Sequence, residues 1–164
     1  MKRRGHIHLY IGNGKGKTTA ALGLLLRAHG AKRKTCLVQF LKAMPSSELS
    51  ALKKLKVKVV AFKERHPLFY KSASIKRLKE QILKDIRKAE DIVKDKSYDL
   101  IVLDEVLYLL NYKLIKEREL LKLIDLKPAQ TELILTGGSA AKSVLRIADY
   151  VSTIKETKHP FKKG

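Results

Sequence analysis

The chain has 164 residues, with 36 Lys and Arg against 16 Asp and Glu, so its formal net charge at pH 7 is +20. This length fits one domain, residues 1–164, which buries roughly 70% of its unfolded surface and has room for a three-layer core. The single cysteine excludes an intramolecular disulfide, and its apolar neighbours predict a buried thiol in a cytoplasmic protein. The sequence contains no apolar run long enough for a membrane span and no zinc-ligand spacing.

Strand-like and helix-like segments alternate along the chain. An apolar run at 6–11 predicts the first strand, and a helix-like stretch follows at 20–26. Further strands are expected at 34–40, 57–62, 99–103, 132–136 and 150–154. Helices are expected at 46–55, 74–93 (with Ser74 as N-cap), 116–125 and 140–148. This alternation predicts an α/β fold with a mainly parallel sheet, whose ligands bind at the carboxyl ends of its strands.

A phosphate-binding loop is predicted between the first strand and the first helix. Small residues there let successive backbone N–H groups surround an anion at the helix N-terminus. We expect Lys17 to reach a phosphate oxygen and the Thr18 hydroxyl to ligate Mg²⁺. The alternative, a Gly/Lys-rich turn without a ligand, does not explain the strand, loop and helix order. The candidate nucleotide-binding residues are Gly12, Asn13, Gly14, Lys15, Gly16, Lys17, Thr18 and Thr19.

The loop departs from the general phosphate-loop pattern at its first position. Ile11 stands where that pattern starts with glycine. A branched side chain at this position predicts a loop path, and a nucleotide position, unlike those of common ATPases.

Two adjacent carboxylates, Asp104 and Glu105, end the apolar run at 100–103. Such a pair suits a Mg²⁺ site opposite the phosphate loop. Because neighbouring residues on a strand point to opposite faces, we expect only one of the two to face the metal directly. Alone, the pair would favour a strand exit or a helix N-cap, but the phosphate loop favours the metal site. The glycine-containing segment at 135–139 either lines the same pocket or forms an ordinary turn.

The basic residues are spread over the sequence. A lysine-rich solvated surface, as in heat-tolerant proteins, is the favoured interpretation. The alternative is attraction of an acidic partner or of nucleic acid by the large positive charge. Because the chain has no DNA or RNA recognition motif and no aromatic stacking pattern, nucleic-acid binding is not favoured.

Five segments together resemble the P-loop type ATP:cob(I)alamin (corrinoid) adenosyltransferase family. They lie at 12–23, 38–42, 98–105, 135–137 and 151–161, and the last ends in Lys158-His159-Pro160-Phe161. The resemblance implies a RecA-like P-loop fold, usually dimeric, that transfers the 5′-deoxyadenosyl group of ATP to cob(I)alamin or another corrinoid and releases triphosphate. It also implies catalytic roles for Lys17 and Glu105, with Thr18 and Glu105 holding Mg²⁺ and Asp104 supporting them.

The chain departs from the family pattern in two functional segments. It contains no Trp, although similar proteins carry a Phe and a Trp that press on the corrin after the third strand. Phe69 and Tyr70 take that place here, either as corrin-binding rings or as core aromatics and loop anchors. The family's Thr-Gly-Arg is Thr136-Gly137-Gly138, so an arginine near the nucleotide is missing.

Two other functions share part of these features. Another RecA-like P-loop ATPase or a nucleoside kinase-like phosphotransferase would use the same loop and acidic strand end. An ATP-dependent nucleic-acid-binding module would use the positive charge. Within the adenosyltransferase hypothesis, the charge predicts association with an acidic flavodoxin-type reductant, because cobalt must be reduced before it attacks ATP.

Overall fold

The computed structural model describes residues 4–42, 46–71 and 74–158. Its strands are β1 (Ile7–Ile11), β2 (Thr35–Gln39), β3 (Lys58–Ala61), β4 (Leu100–Asp104), β5 (Glu132–Thr136) and β6 (Tyr150–Thr153). Its helices are α1 (Lys17–Gly30), α2 (Ser47–Lys54), α3 (Ile75–Val93), α4 (Val106–Asn111), α5 (Glu117–Asp125) and α6 (Lys142–Ile147). A short 3₁₀-helix, Pro67–Phe69, lies between β3 and α3.

The six strands form one sheet in the order β3-β2-β4-β5-β1-β6. Every neighbouring pair is parallel, so the carboxyl ends of all the strands lie at the same edge of the sheet. The predicted α/β fold class is confirmed. The strand order places β1 between β5 and β6, which brings the segment after β1 next to segments from the last third of the sequence.

Helices cover both faces of the sheet and give it the predicted three layers. Leu37, Val102 and Ile134 pack on one face against apolar side chains of α1 and α2. On the other face, the alternate strand residues pack against α3, α4 and α5; they include Cys36, Val38, Ile101, Leu103, Leu133 and Leu135. Because successive strand residues point to opposite faces, β2 and β4 can be apolar throughout and fully buried.

The positions of the predicted elements agree with the structure to within a few residues, and one helix was not expected. The pattern did not predict α4, which starts directly after Glu105. Ser74 does precede α3, but its side chain makes no capping hydrogen bond. Cys36 is a free, buried thiol, as predicted. The resembling residues His159, Pro160 and Phe161 lie outside the described residues.

Within the described ranges, no helix combines the length and the apolar character that crossing a bilayer requires.

Candidate active site

The loop between β1 and α1 contains two glycines with a left-handed backbone. Gly12 has a φ of +115° and Gly16 a φ of +110°. A Cβ atom at Gly12 would lie 2.2 Å from the carbonyl oxygen of Ile154, so the position has no room for a side chain. Gly16 immediately precedes α1, whose first turn contains no acidic residue. The positive end of the α1 dipole therefore faces no carboxylate from its own first turn, which suits an anion site.

Segments from the last third of the sequence hold this loop in place. The Gly12 N–H donates to the Gly138 carbonyl oxygen at 2.7 Å, and the Gly14 N–H donates to that of Ile154 at 2.9 Å. The β5–α6 segment at 135–139 thus contacts the phosphate loop on one side. The segment after β6 contacts it on the other. A Cβ atom at Gly14 would lie 2.9 Å from Ile154 Cγ2, so this packing is close.

The side chains of the loop divide into exposed and partly buried groups. The exposed ones belong to Asn13, Lys15 and Thr19. Asn13 Oδ1 accepts a hydrogen bond from the Glu156 N–H at 3.2 Å. The partly buried Lys17 Nζ donates to the Gly14 carbonyl oxygen at 2.9 Å, so the ammonium group lies over the loop itself. In this structure the ammonium group is therefore occupied by a backbone acceptor of its own loop.

Three polar side chains form a row at the carboxyl ends of β2, β4 and β5. Gln39 pairs with Asp104 in the sheet register, and Thr136 follows Leu135, the partner of Leu103. All three side chains continue the sheet face that packs against α1, because each lies two residues after an apolar residue of that face. The row is buried: relative exposures are 0% for Gln39, 0% for Asp104 and 1% for Thr136.

Asp104 is the centre of a hydrogen-bond network that joins this row to the phosphate loop. The Thr18 hydroxyl donates to Asp104 Oδ1 at 3.0 Å, and the Thr136 hydroxyl donates to the same oxygen at 2.7 Å. Gln39 Nε2 donates to Asp104 Oδ2 at 2.9 Å. A buried carboxylate needs such donors to offset its lost hydration. The network therefore fixes Asp104 beside the first turn of α1.

Glu105 has a different environment from its neighbour. Its backbone is left-handed, with a φ of +64°, and its N–H donates to Thr136 Oγ1 at 2.8 Å. Burial and the adjacent Asp104 raise the pKa of Glu105 to about 7, while Lys42 and Lys17 act in the opposite direction. A cation bound nearby would favour the ionised carboxylate. Glu105 thus lies at the rim of the site, directly after the buried Asp104 and before α4.

The donor set at this edge fits Mg²⁺ better than a transition metal. Thr18 and Asp104 contribute hard oxygen atoms, which Mg²⁺ prefers. The carbonyl oxygen of the buried Gln39 side chain accepts no hydrogen bond from any described residue, which leaves another oxygen for a metal-bound water. No group of three or more His, Cys, Asp or Glu residues suited to a metal occurs in the described part of the chain. Mg²⁺ commonly binds with one or two carboxylates and substrate phosphates, so this small set is sufficient.

The predicted aromatic pair lies on a separate segment, between β3 and α3. Phe69 is 74% exposed at the end of the 3₁₀-helix. Tyr70 packs against the main core, and its hydroxyl donates to Glu64 Oε2 at 2.6 Å and accepts from the Arg65 N–H at 3.2 Å. Phe69 is therefore not a core aromatic, whereas Tyr70 anchors its loop. The structure brings Lys17, Thr18, Asp104 and Glu105 together.

An aromatic cluster that sequence reasoning missed connects the β3–α3 segment to α4. The His66 and Tyr112 ring centroids are 4.5 Å apart at 82°, and the Tyr108 and Tyr112 rings stack at 5.9 Å. Burial lowers the pKa of His66, which favours the neutral ring. The helix therefore links the exposed aromatic segment to Glu105, the residue before it. The spacing of four between Tyr108 and Tyr112 was the available signal, but α4 itself was not predicted.

A parallel α/β sheet with a glycine-rich loop, a Lys-Thr helix start and a buried strand-end aspartate defines a P-loop nucleotide-binding protein. The family model described as ATP:corrinoid adenosyltransferase BtuR/CobO/CobP matches residues 3–164, and the chain belongs to this family. It is 32% identical over 163 residues to the corrinoid adenosyltransferase of Escherichia coli K12, covering 98% of this chain and 82% of the relative.

Two further relatives support the same family. The corrinoid adenosyltransferase CobA of Salmonella typhimurium is 29% identical over 169 residues, covering 100% of this chain and 83% of the relative. The corrinoid adenosyltransferase of Pseudomonas aeruginosa is 29% identical over 168 residues, covering 98% of this chain and 80% of the relative. These matches confirm the predicted family and an enzyme of the ATP:corrinoid adenosyltransferase type. They favour it over the ATPase or kinase alternative.

Proposed function

We propose that the chain transfers the 5′-deoxyadenosyl group of ATP to a reduced cobalt(I) corrinoid, such as cob(I)alamin, and releases triphosphate. The observation that carries the proposal is the Thr18–Asp104 contact beside the phosphate loop, in a chain that belongs to the corrinoid adenosyltransferase family. The contact lies where the phosphate end of a nucleotide would meet a helix N-terminus and a hard-oxygen donor set.

The reaction requires little chemistry from the protein side chains. Cobalt(I) of the corrinoid substrate attacks the 5′ carbon of ATP with its electron pair and is formally oxidised to cobalt(III) as the cobalt–carbon bond forms. The C5′–O bond breaks, and its electron pair leaves with triphosphate. No side-chain nucleophile, acid or base is needed. The protein therefore contributes position, charge neutralisation and exclusion of water.

Lys17 and the loop amides are the proposed binding groups for the leaving triphosphate. Lys17 leaves the Gly14 carbonyl oxygen, 2.9 Å away, to contact a phosphate oxygen. The backbone amides between Gly12 and Thr19, at the start of α1, provide further donors, and the helix dipole favours their anionic partner. Each of these contacts strengthens as negative charge accumulates on the leaving group, so it lowers the barrier.

The proposed Mg²⁺ ligands are Thr18 and Glu105, with Asp104 supporting them. The hydrogen bond from Thr18 to Asp104 favours a direct part for Asp104 as well. When bound, the ion would neutralise charge on the triphosphate. Glu105, with its raised pKa of about 7, would act as a ligand in its ionised form. Asp104 holds the Thr18 hydroxyl in position.

Phe69 and Tyr70 are the proposed contacts for the lower face of the corrin. The exposure of Phe69 supports this part, because a ring that is 74% exposed has apolar surface to bury against a ligand. Tyr70 holds the segment through its bond to Glu64. A ring packed on the lower corrin face would exclude water and the axial ligand, which makes cobalt(II) easier to reduce.

The test is an incubation of purified protein with Mg-ATP and chemically reduced cobalamin. We expect adenosylcobalamin and triphosphate in equal amounts. Release of ADP or phosphate without adenosylcobalamin would instead support an ATPase or a phosphotransferase. Repeating the assay with corrinoids that differ in their lower ligand identifies the substrate preference.

We also propose that an acidic flavodoxin-type protein supplies the electron to cobalt. The formal charge of +20 supports this proposal, since opposite charges speed the encounter of two proteins. Coupled reduction and adenosylation should slow steeply with added salt, whereas the rate with a chemical reductant should not. If added salt slowed both rates equally, the positive charge would serve solubility and would not serve binding of the reductant.

A homodimer and a cytoplasmic location complete the proposal. The family resemblance motivates the dimer, and the single free, buried cysteine fits a reducing compartment. Light scattering after size-exclusion chromatography gives the oligomeric state, and a mass near 18.6 kDa would contradict the dimer. Cell fractionation followed by immunoblotting tests the location.

A further inference from the structure

Lys42 follows a strained turn at the carboxyl end of β2, next to the candidate site. The Phe40 N–H donates to the Asp104 carbonyl oxygen at 3.1 Å, so the β2 and β4 chains stay paired to the end of both strands. The next residue, Leu41, has a left-handed backbone with a φ of +54°. A non-glycine residue in this region is strained by about 1 kcal/mol. Such a turn requires support from the surrounding structure, and it directs the chain to the rim at Lys42.

Lys42 forms an ion pair with Glu48, near the start of α2. Its Nζ donates to Glu48 Oε1 at 2.6 Å, and the two side chains are 34% and 35% exposed. Because every strand pair of the sheet is parallel, Lys42 after β2 and Lys17 after β1 follow strand ends at the same edge as Asp104.

The β5–α6 segment offers no cation at this rim. Gly137, Gly138 and Ser139 follow β5 there. A Cβ atom at Gly138 would lie 2.9 Å from Tyr108 Cε1, so α4 already fills the space beside it. A triphosphate leaving group carries several negative charges, and Lys17 alone neutralises one of them. The proposed Mg²⁺ would neutralise part of the remainder, and a second lysine from another segment would add to it.

We propose that Lys42 is a second phosphate-binding lysine, which leaves Glu48 to contact the triphosphate of ATP and of the leaving group. The proposal deepens the proposed function, since it names a further catalytic residue of that site. Glu48 can release its partner at low cost, because it lies in the first turn of α2, where the helix dipole favours a carboxylate. Lys42 thus exchanges one anionic partner for another, and its charge stays compensated in both states.

The test compares Lys42→Met with its matched control, Glu48→Gln. Both variants remove the ion pair between β2 and α2, but only Lys42→Met removes the cation. Binding of inorganic triphosphate with Mg²⁺ is measured by calorimetry without corrinoid. We expect Lys42→Met to bind about tenfold to hundredfold more weakly than Glu48→Gln, as for a lost charge-assisted hydrogen bond. Equal affinities would reduce Lys42 to a structural partner of Glu48 and overturn the proposal.

Two further variants, Lys42→Gln and Lys42→Arg, separate the loss of charge from a loss of packing. Lys42→Gln preserves a polar side chain without the charge and replaces Lys42→Met if that variant unfolds. Lys42→Arg should restore triphosphate binding to within a fewfold of wild type, which a loss of packing would not do. The corrinoid assay is run separately: triphosphate binding that depends on Lys42, without adenosylcobalamin formation, leaves this inference standing and rejects the proposed function. The reverse result rejects the inference alone.

Discussion

The phosphate-loop edge and the β3–α3 segment lie at the same end of the sheet but are built differently. At the phosphate-loop edge, Asp104 is completely buried and accepts hydrogen bonds from three side chains on three different elements. In the β3–α3 segment, Leu68 is 80% and Phe69 is 74% exposed, and Tyr70 holds the loop through Glu64. One region is fixed by its neighbours, and the other presents apolar surface to solvent.

The difference follows from the two proposed substrates. Triphosphate is small and charged, so it is bound best by backbone donors that are already in position and by lysines that only exchange one partner for another. A corrin is wide and largely apolar on its faces, and exposed rings gain contact area when they pack against it. The ring contact between His66 and Tyr112 connects the two regions through α4. Six substitutions test whether the regions separate in this way.

The largest effect is expected at Lys17. We predict that Lys17→Ala lowers kcat/KM for ATP on the order of a thousandfold, because the leaving group loses its nearest cation. Stability should stay within about 0.5 kcal/mol of wild type, since Lys17 belongs to a ligand site and not to the core. Steady-state kinetics and urea unfolding measure the two quantities. The control is Lys79→Ala, which removes an exposed lysine of α3 outside the site. Equal activity of Lys17→Ala and wild type would contradict the proposed role of Lys17.

Asp104→Asn should damage both activity and stability. An amide NH₂ would face one of the donors from Thr18, Thr136 and Gln39, so one buried hydrogen bond is lost. We expect unfolding free energy to fall by about 1–3 kcal/mol and activity to fall on the order of a hundredfold. Chemical unfolding and adenosylation rates measure these effects. A variant as stable as wild type would contradict the view of this edge as a fixed network.

Phe69→Ala should separate the two regions most clearly. The ring is exposed, so its removal should leave stability and ATP affinity near wild type while adenosylation of cobalamin falls roughly thirtyfold. Tyr70→Ala should lower adenosylation too, with an added loss of stability from its bond to Glu64. Electron paramagnetic resonance should lose the four-coordinate cobalt(II) signature in both variants. If the signature persists and only thermal stability changes, these rings are anchors.

Glu105→Gln should raise the Mg²⁺ concentration needed for half-maximal activity by about tenfold, because a neutral amide is a poorer ligand for a hard cation. Unlike Asp104→Asn, it should not lower stability, since burial already raises the pKa of this carboxyl to about 7. Activity titrated with Mg²⁺ at fixed ATP gives the result. If the Mg²⁺ concentration for half-maximal activity is unchanged, Asp104 and not Glu105 is the carboxylate that binds the metal.

The smallest effect concerns Asp85, a buried carboxylate of α3 behind the exposed segment. Burial raises its pKa, and the hydrogen bond from Gln81 and the charge of Lys88, 3.9 Å away, offset this only in part. A raised pKa means that the carboxyl binds its proton more tightly in the folded protein, so protonation favours the folded state. This contribution to stability is complete below the unfolded pKa of about 3.9 and is lost as the pH rises through the folded pKa. Asp85→Asn should therefore stabilise the protein at pH 7, on the order of 1 kcal/mol.

The gain from Asp85→Asn should shrink as pH is lowered towards 4, which urea unfolding at several pH values would show. Asp91→Asn on the same helix is the control, because its side chain is 70% exposed and should change stability by less than about 0.5 kcal/mol. A gain independent of pH would mean that Asp85 is not the buried charge it is inferred to be.

Much of the fold was accessible from the sequence, because its strands are apolar runs separated by helical patterns. The phosphate loop and the acidic strand end were found for the same reason: each follows such a run. The short helix α4 was missed since Val106–Asn111 is only six residues long and apolar, so it shows no amphipathic period.

The polar row was harder to predict than the loop. Gln39 and Thr136 each end a strand like Asp104, but their common face depends on which strands are neighbours, and sheet order is not written in any local pattern. The alternation rule predicted that only one of Asp104 and Glu105 faces the metal directly, and this stays a prediction; in the structure the Asp104 side chain is the one that contacts α1. The rule did not say which of the two carboxylates would contact α1, because that depends on the face of the sheet that α1 covers. The place of Lys42 likewise depends on the turn at Leu41, a residue with no turn signature.

The position of β1 between β5 and β6 has a consequence for synthesis on the ribosome. The phosphate loop is translated early, yet β1 pairs only with strands that begin at Glu132 and Tyr150. At 5–20 residues per second, the loop segment waits on the order of ten seconds for those partners. Nascent chains in which β5 and β6 have not yet been translated lack the backbone contacts that shape the loop. The loop therefore takes its final shape only after β6 has been translated and has paired with β1.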